Sequence, residues 1–231
     1  MRVIKAIFTK QAKDMFKNPM VLIMFVLFPA VAFMMTIFVA GSNDDIPPNM
    51  FVTMMASIFA GMGLITAVSG AIAEDIELKS LRFLVIAGVK PHQYLLGIGG
   101  FFLLAAAVTS IVFALIGDFT TTEILRFLII MVSGTAASIL LGATIGMWSK
   151  NVQAASGLAM PFAVIVGFTP MIANFNETVE KAAGVLYTQQ INVIVNDLEA
   201  SMLRPLLVIA ANIAVLAVFF AAAYKKKGLK E

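Results

Sequence analysis

Six runs of about 20 apolar residues organise the sequence, at 20–40, 50–73, 94–117, 124–147, 152–173 and 205–224, and none has an acid or base at its centre. A helix rising ~1.5 Å per residue needs about that length to cross a hydrocarbon core ~30 Å thick. Each run therefore predicts a membrane span, and the expected fold class is an all-α integral membrane protein. Hydrophobic residues make up 61% of the 231 positions and charged residues 13%, far from the ~45–50% and ~25% of soluble domains. No stretch between the runs is long enough for a separate globular unit, so residues 1–231 read as a single transmembrane domain. The first run follows a basic stretch, as a signal peptide would. Signal cores are only ~7–15 residues long, so a retained span is the better reading.

Lys and Arg collect in cytoplasmic loops, which gives the expected orientation. Thirteen of the 16 cations fall in the amino-terminal segment (Arg2, Lys5, Lys10, Lys13, Lys17), the second loop (Lys79, Arg82, Lys90), the fourth loop (Lys150) and the tail (Lys225, Lys226, Lys227, Lys230). Arg126, Lys181 and Arg204 are the three on the other side. Both termini are thus expected in the cytoplasm, which requires an even number of spans.

Three segments outside the spans carry structure of their own. Within residues 1–18, Val3, Ile4, Ile7, Phe8, Ala12, Met15 and Phe16 recur at helical spacing opposite the cations. This predicts an amphipathic helix lying in the membrane interface, as a lipid anchor, as a docking element, or as both. Residues 74–92 begin acidic, turn basic and close on Gly88-Val89-Lys90-Pro91, which predicts a short helix on the membrane surface with Gly and Pro as stop signals. In 174–204, Asn176 is placed to cap a short helix reaching Gly184, and a second run covers 187–198. Hydropathy leaves open whether this pair forms an external cap or re-enters the membrane.

Cysteine is absent and His92 is the single histidine. No thiol catalysis and no cysteine- or histidine-based metal site is therefore expected, and proton or cation relays would need intramembrane ionisable groups that the spans lack. The polar groups inside are hydroxyls and Asn212, suited to bonds between helices. Gly134, Ser138, Gly142 and Gly146 form a small-residue ladder, and Ala56, Ala60, Gly63, Ala67 and Gly70 a second one. Either could pack within one chain or between two. Pro29, Pro161 and Pro170 interrupt spans and act as static kinks or as pivots. Phe51, Met55, Phe59, Met62, Phe162 and Phe168 are deformable candidates for lining a pathway.

The chain lacks a phosphate-binding G-x-x-x-x-G-K-[ST] loop, so energy for active transport would arrive from a separate subunit. The stretch Ala73-Glu74-Asp75-Ile76-Glu77-Leu78-Lys79-Ser80-Leu81-Arg82-Phe83-Leu84, then Ala87-Gly88-Val89 and Tyr94-Leu95-Leu96-Gly97, resembles the coupling-helix loop of ABC-2 (type V) exporter permeases. Leu27-Phe28-Pro29 and the stretch from Pro161 through Pro170 to Gln190 are similar to that family as well. The resemblance implies an ATP-driven exporter in the bacterial inner membrane, with two permease copies pairing with two ATPase subunits. ATP and Mg would bind the partner, leaving no cofactor and no catalytic residue in this chain. Glu74, Asp75, Glu77, Lys79, Ser80, Arg82 and Gly88 would couple to the ATPase. Membrane lipid is a further expected partner and nucleic acid is not. An apolar interior without buried charge favours hydrophobic or amphipathic cargo such as a drug, peptide or lipid. The competing readings are a non-transport scaffold or immunity protein and a channel-like facilitator.

Overall fold

The computed structural model describes residues 2–43, 45–47 and 49–228, so Lys230 of the basic tail lies outside the described residues. Among the described residues all regular structure is helical, and six helices are long and apolar enough to cross a membrane. The chain runs α1 (Arg2–Lys17), α2 (Pro19–Phe38), a 3-10 turn (Ala40–Ser42), α3 (Met50–Ile58), a π-helical turn (Phe59–Gly63) and α4 (Leu64–Glu77). It continues with α5 (Ser80–Ile86), α6 (Pro91–Ile116), α7 (Thr121–Trp148), α8 (Val152–Ala173), α9 (Glu177–Ala183), α10 (Tyr187–Asn196) and α11 (Leu203–Gly228). α3, the π turn and α4 form one uninterrupted rod.

The helix of the second span continues through Glu77, past the predicted end at 73. The acids expected to open the surface helix therefore close α4 instead. Negative charge at a helix C-terminus opposes the dipole, so these carboxylates need partners from elsewhere, and the fold supplies them to Asp75 and Glu77.

α7 is central and packs against α4, α6 and α11. Its small-residue ladder faces neighbours in the same chain: a Cβ on Gly142 would lie 2.8 Å from the Ile65 carbonyl oxygen, one on Gly146 2.9 Å from the Ser69 carbonyl oxygen, and one on Gly134 would strike the Ile191 side chain. At Gly142 the neighbouring backbone is close enough to favour glycine, and such approach provides dispersion contact where no hydrophobic effect drives helices together. Beside this interface Phe59 is fully buried among Phe25, Phe28 and Phe113, with ring centroids 5.7, 6.0 and 5.8 Å away. That aromatic cluster joins α2, the π turn and α6 at favourable spacing.

Asn176 caps α9 as its position predicts, accepting from the Thr178 and Val179 amides at 2.9 and 3.2 Å. α10 is re-entrant. It is buried against α3, α7, α8 and α11, and its Thr188 meets Val166, about 10 Å below the end of α8 at ~1.5 Å per residue. α2 and α8 pass through their prolines as continuous helices.

Candidate functional site

Asp75, near the C-terminus of α4, is the hub of the lysine-rich end. Its side chain is almost fully buried. Lys10 of α1 donates to Oδ1 at 2.5 Å, the Tyr94 hydroxyl of α6 donates to Oδ2 at 2.7 Å, and the Ser80 hydroxyl at the start of α5 lies 2.9 Å from Oδ1. One carboxylate thus ties together four helices, and charge-assisted bonds of this kind are the strong ones. Lys10 also pairs with Asp14 at 3.1 Å. Burial works against the Lys10 charge, but the bonds and negative charges of Asp75 and then Asp14 outweigh it, so its pKa is raised above the ordinary 10.5.

Apolar packing seats the rest of α1. Ile7 is buried on α6, where a Cβ on Gly97 would fall 2.6 Å from Ile7 Cβ, and Phe8 meets Phe101 edge-on at 5.6 Å. The amphipathic helix therefore spends part of its apolar face on the bundle, while Phe16 stays exposed.

The segment from Leu78 to Val89 is held at both ends. Lys79 takes a left-handed φ of 58°, and the Ser80 hydroxyl covers the Asp75 carbonyl at 3.0 Å. Gly88, at φ 80°, closes α5: its amide bonds to Val85 O and that of Val89 to Leu84 O, both at 3.0 Å. This is the paired-bond helix stop that favours glycine. The Tyr224 hydroxyl then donates to Val89 O at 3.0 Å, fixing the segment to α11. Glu77 Oε2 accepts from the Val152 amide at 3.0 Å, where the N-terminal dipole of α8 favours an anion. Leu78, Phe83 and Ile86 remain 66, 69 and 73% exposed beside the exposed Lys79 and Arg82. The coupling candidates thus divide into Asp75 and Ser80 inside the hub, Glu77 on α8, and an outward surface of Lys79, Arg82 and Gly88. Glu74 lines a cavity of about 440 Å³ between α2, α4 and α8, together with Glu77, Thr66 and Ser156.

A second junction lies deeper. In the π turn the Leu64 amide bonds to Phe59 O and so bypasses Ala60. Ser138 of α7 donates to the Ala60 carbonyl, and its hydroxyl lies 2.9 Å from the Tyr187 hydroxyl of α10. In α8, Pro170 has no amide hydrogen for Val166 O; the Thr188 hydroxyl donates there instead, at 2.7 Å. Of two consecutive residues of α10, Thr188 thus fills one backbone defect directly, and Tyr187 bonds the Ser138 hydroxyl that fills the other. The defects adjoin, since a Cβ on Gly61 would fall 2.5 Å from Gly167 Cα.

The six pathway candidates differ in exposure within the chain. Phe59 and Phe51 are buried, Met55, Met62 and Phe168 are partly buried, and Phe162 faces outward. Lys10, Tyr94, Ser138, Tyr187 and Thr188 were not singled out as site residues from sequence. The signal for Thr188 was Pro170, because a proline in a span implies a free carbonyl that needs a donor. Compared with known proteins, the chain matches no family model and no curated sequence.

Proposed function

We propose that this chain is the membrane-spanning permease subunit of an ATP-driven exporter of the ABC-2 type. Both termini lie in the cytoplasm of a bacterial inner membrane, and a second permease copy and two ATPase subunits complete the assembly. The observation that carries the proposal is the anchored segment around α5. Leu78, Phe83, Ile86, Lys79 and Arg82 face outward from a base fixed to α1, α4, α6 and α11. A flexible loop would absorb a push from an ATPase; a segment held at both ends transmits it to the spans. Apolar side chains flanked by cations also suit a protein partner. The cargo is hydrophobic or amphipathic, because the spans offer hydroxyls and apolar surface with no charge at their centres.

Co-purification from the native membrane tests this reading. The full chain should carry ATPase activity, and a double Arg82→Glu, Phe83→Asp variant should lose that activity about tenfold or more, as truncated interface anchors do. Its melting temperature should hold, because both residues are exposed. A chain that purifies without any ATPase sinks the exporter reading and favours the scaffold reading.

A further inference from the structure

Arg126, Lys181 and Arg204 are the cations at the end of the molecule opposite the Asp75 hub, and they are treated differently. The Arg126 guanidinium donates to the Ala200 carbonyl. Lys181 and Arg204 form no ion pair or side-chain hydrogen bond among the described residues, and both line one groove. The groove has a volume of about 550 Å³ and runs between the end of α9 and one face of α11, walled by Val185, Val208, Ala211 and Val215. Two hydrogen bonds tie its floor together: the Asn212 amide donates to Val185 O at 2.9 Å and to Val208 O at 2.8 Å. From Arg204 to Leu216 the α11 wall descends about 18 Å at ~1.5 Å per residue, slightly more than half of a ~30 Å hydrocarbon core.

We infer that this groove is a binding site for one anionic phospholipid. The phosphate sits between Lys181 and Arg204, and an acyl chain lies along Val208, Ala211 and Val215. Three features point to that ligand together. The two cations have no anion of their own. Arg204 occupies the first turn of α11, where a cation opposes the helix dipole and an anion is favoured. The apolar wall begins beneath the cations and has the depth of one leaflet. A soluble anion would satisfy the cations and leave the wall bare, and a zwitterionic lipid would bring a cation of its own to Lys181 and Arg204. The site is independent of any transport role.

Native mass spectrometry of the purified full chain, equilibrated with mixed phosphatidylglycerol and phosphatidylcholine, tests the assignment. Wild type should retain phosphatidylglycerol selectively. A double Lys181→Gln, Arg204→Gln variant should retain it about thirtyfold less, the effect of two interfacial cations. Ala211→Trp should lower retention of both lipids by filling the groove. Lys225→Gln with Lys226→Gln, at the other end, should leave retention unchanged. Equal retention of the two lipids overturns the site, as does phosphatidylglycerol binding that survives the double variant. Displacement of the lipid by inorganic phosphate alone would show a free-anion site and overturn it too. Because the chain has no cysteine, Ala211→Cys reports whether a second copy covers the groove: an efficient disulfide between two chains also overturns the inference.

Discussion

At the scale of single residues, the Asp75 carboxylate accepts from Lys10 and Tyr94 with almost none of its surface in solvent. Breaking a fully buried ion pair by removing one partner costs about 3–5 kcal/mol. Lys10 keeps 43% of its side-chain exposure, so the cost here is nearer the ~1–3 kcal/mol of an unsatisfied buried group. Asp75→Asn should lower the melting temperature in detergent, because the new amide turns a donor toward the Lys10 ammonium or toward Tyr94. Lys10→Gln keeps a donor and should cost less. The pH dependence follows from the raised Lys10 pKa. A cation whose folded pKa lies above its unfolded value contributes fully below the unfolded value and loses that contribution as pH rises through the folded one. The stability gap between wild type and Lys10→Gln should therefore be constant up to the ordinary 10.5 and shrink above it. A gap that changes between pH 6 and 9 would mean that another group titrates in the hub.

At the scale of elements, α10 is unusual in what it repairs. In a membrane a free carbonyl has no water to turn to, and the π turn and Pro170 each expose one. Tyr187 reaches the first through Ser138, and Thr188 reaches the second directly. Hydrogen bonds between membrane helices average only ~0.6 kcal/mol, so Thr188→Val should be mild. Its dependence on Pro170 is the sharper expectation. Pro170→Ala restores an amide donor for Val166 O, so Thr188→Val should cost less in that background than in wild type. Unfolding free energies for the two single variants and the double variant give the coupling. Strict additivity would mean that Thr188 does not stand in for the missing amide.

At the scale of the whole molecule, the six spans, the amphipathic α1, the Asn176 cap and the α10 run are legible because each is local: length, period and capping lie within a few residues of one another. What escapes the sequence is non-local or leaves no compositional mark. The second span appeared to end at its first acid because a hydropathy window scores any carboxylate as a barrier. The partner that makes Asp75 tolerable is Lys10, 65 residues upstream. The π turn is a change of hydrogen-bond register within Phe59–Gly63, a stretch that reads as ordinary helix. The Gly134 ladder was visible, but its facing partners on α4 and α10 were not. The same non-local logic sets the last expectation, which concerns how α1 is joined to the bundle. Its seat depends on Gly97, where a side chain would strike Ile7 Cβ at 2.6 Å and approach Ile4 O at 3.3 Å. Gly97→Val should therefore lift α1 from α6 and, with it, Lys10 from Asp75. Overpacking of this kind costs about 1–3 kcal/mol. Trypsin cleavage within α1, at Lys10 and Lys13, should then accelerate about tenfold through the larger open population. Far-ultraviolet circular dichroism should change little, since the six long helices do not depend on α1 for their backbone bonds. Unchanged cleavage would mean that α1 is held by the lipid surface alone, and the Asp75 hub would then join three helices instead of four.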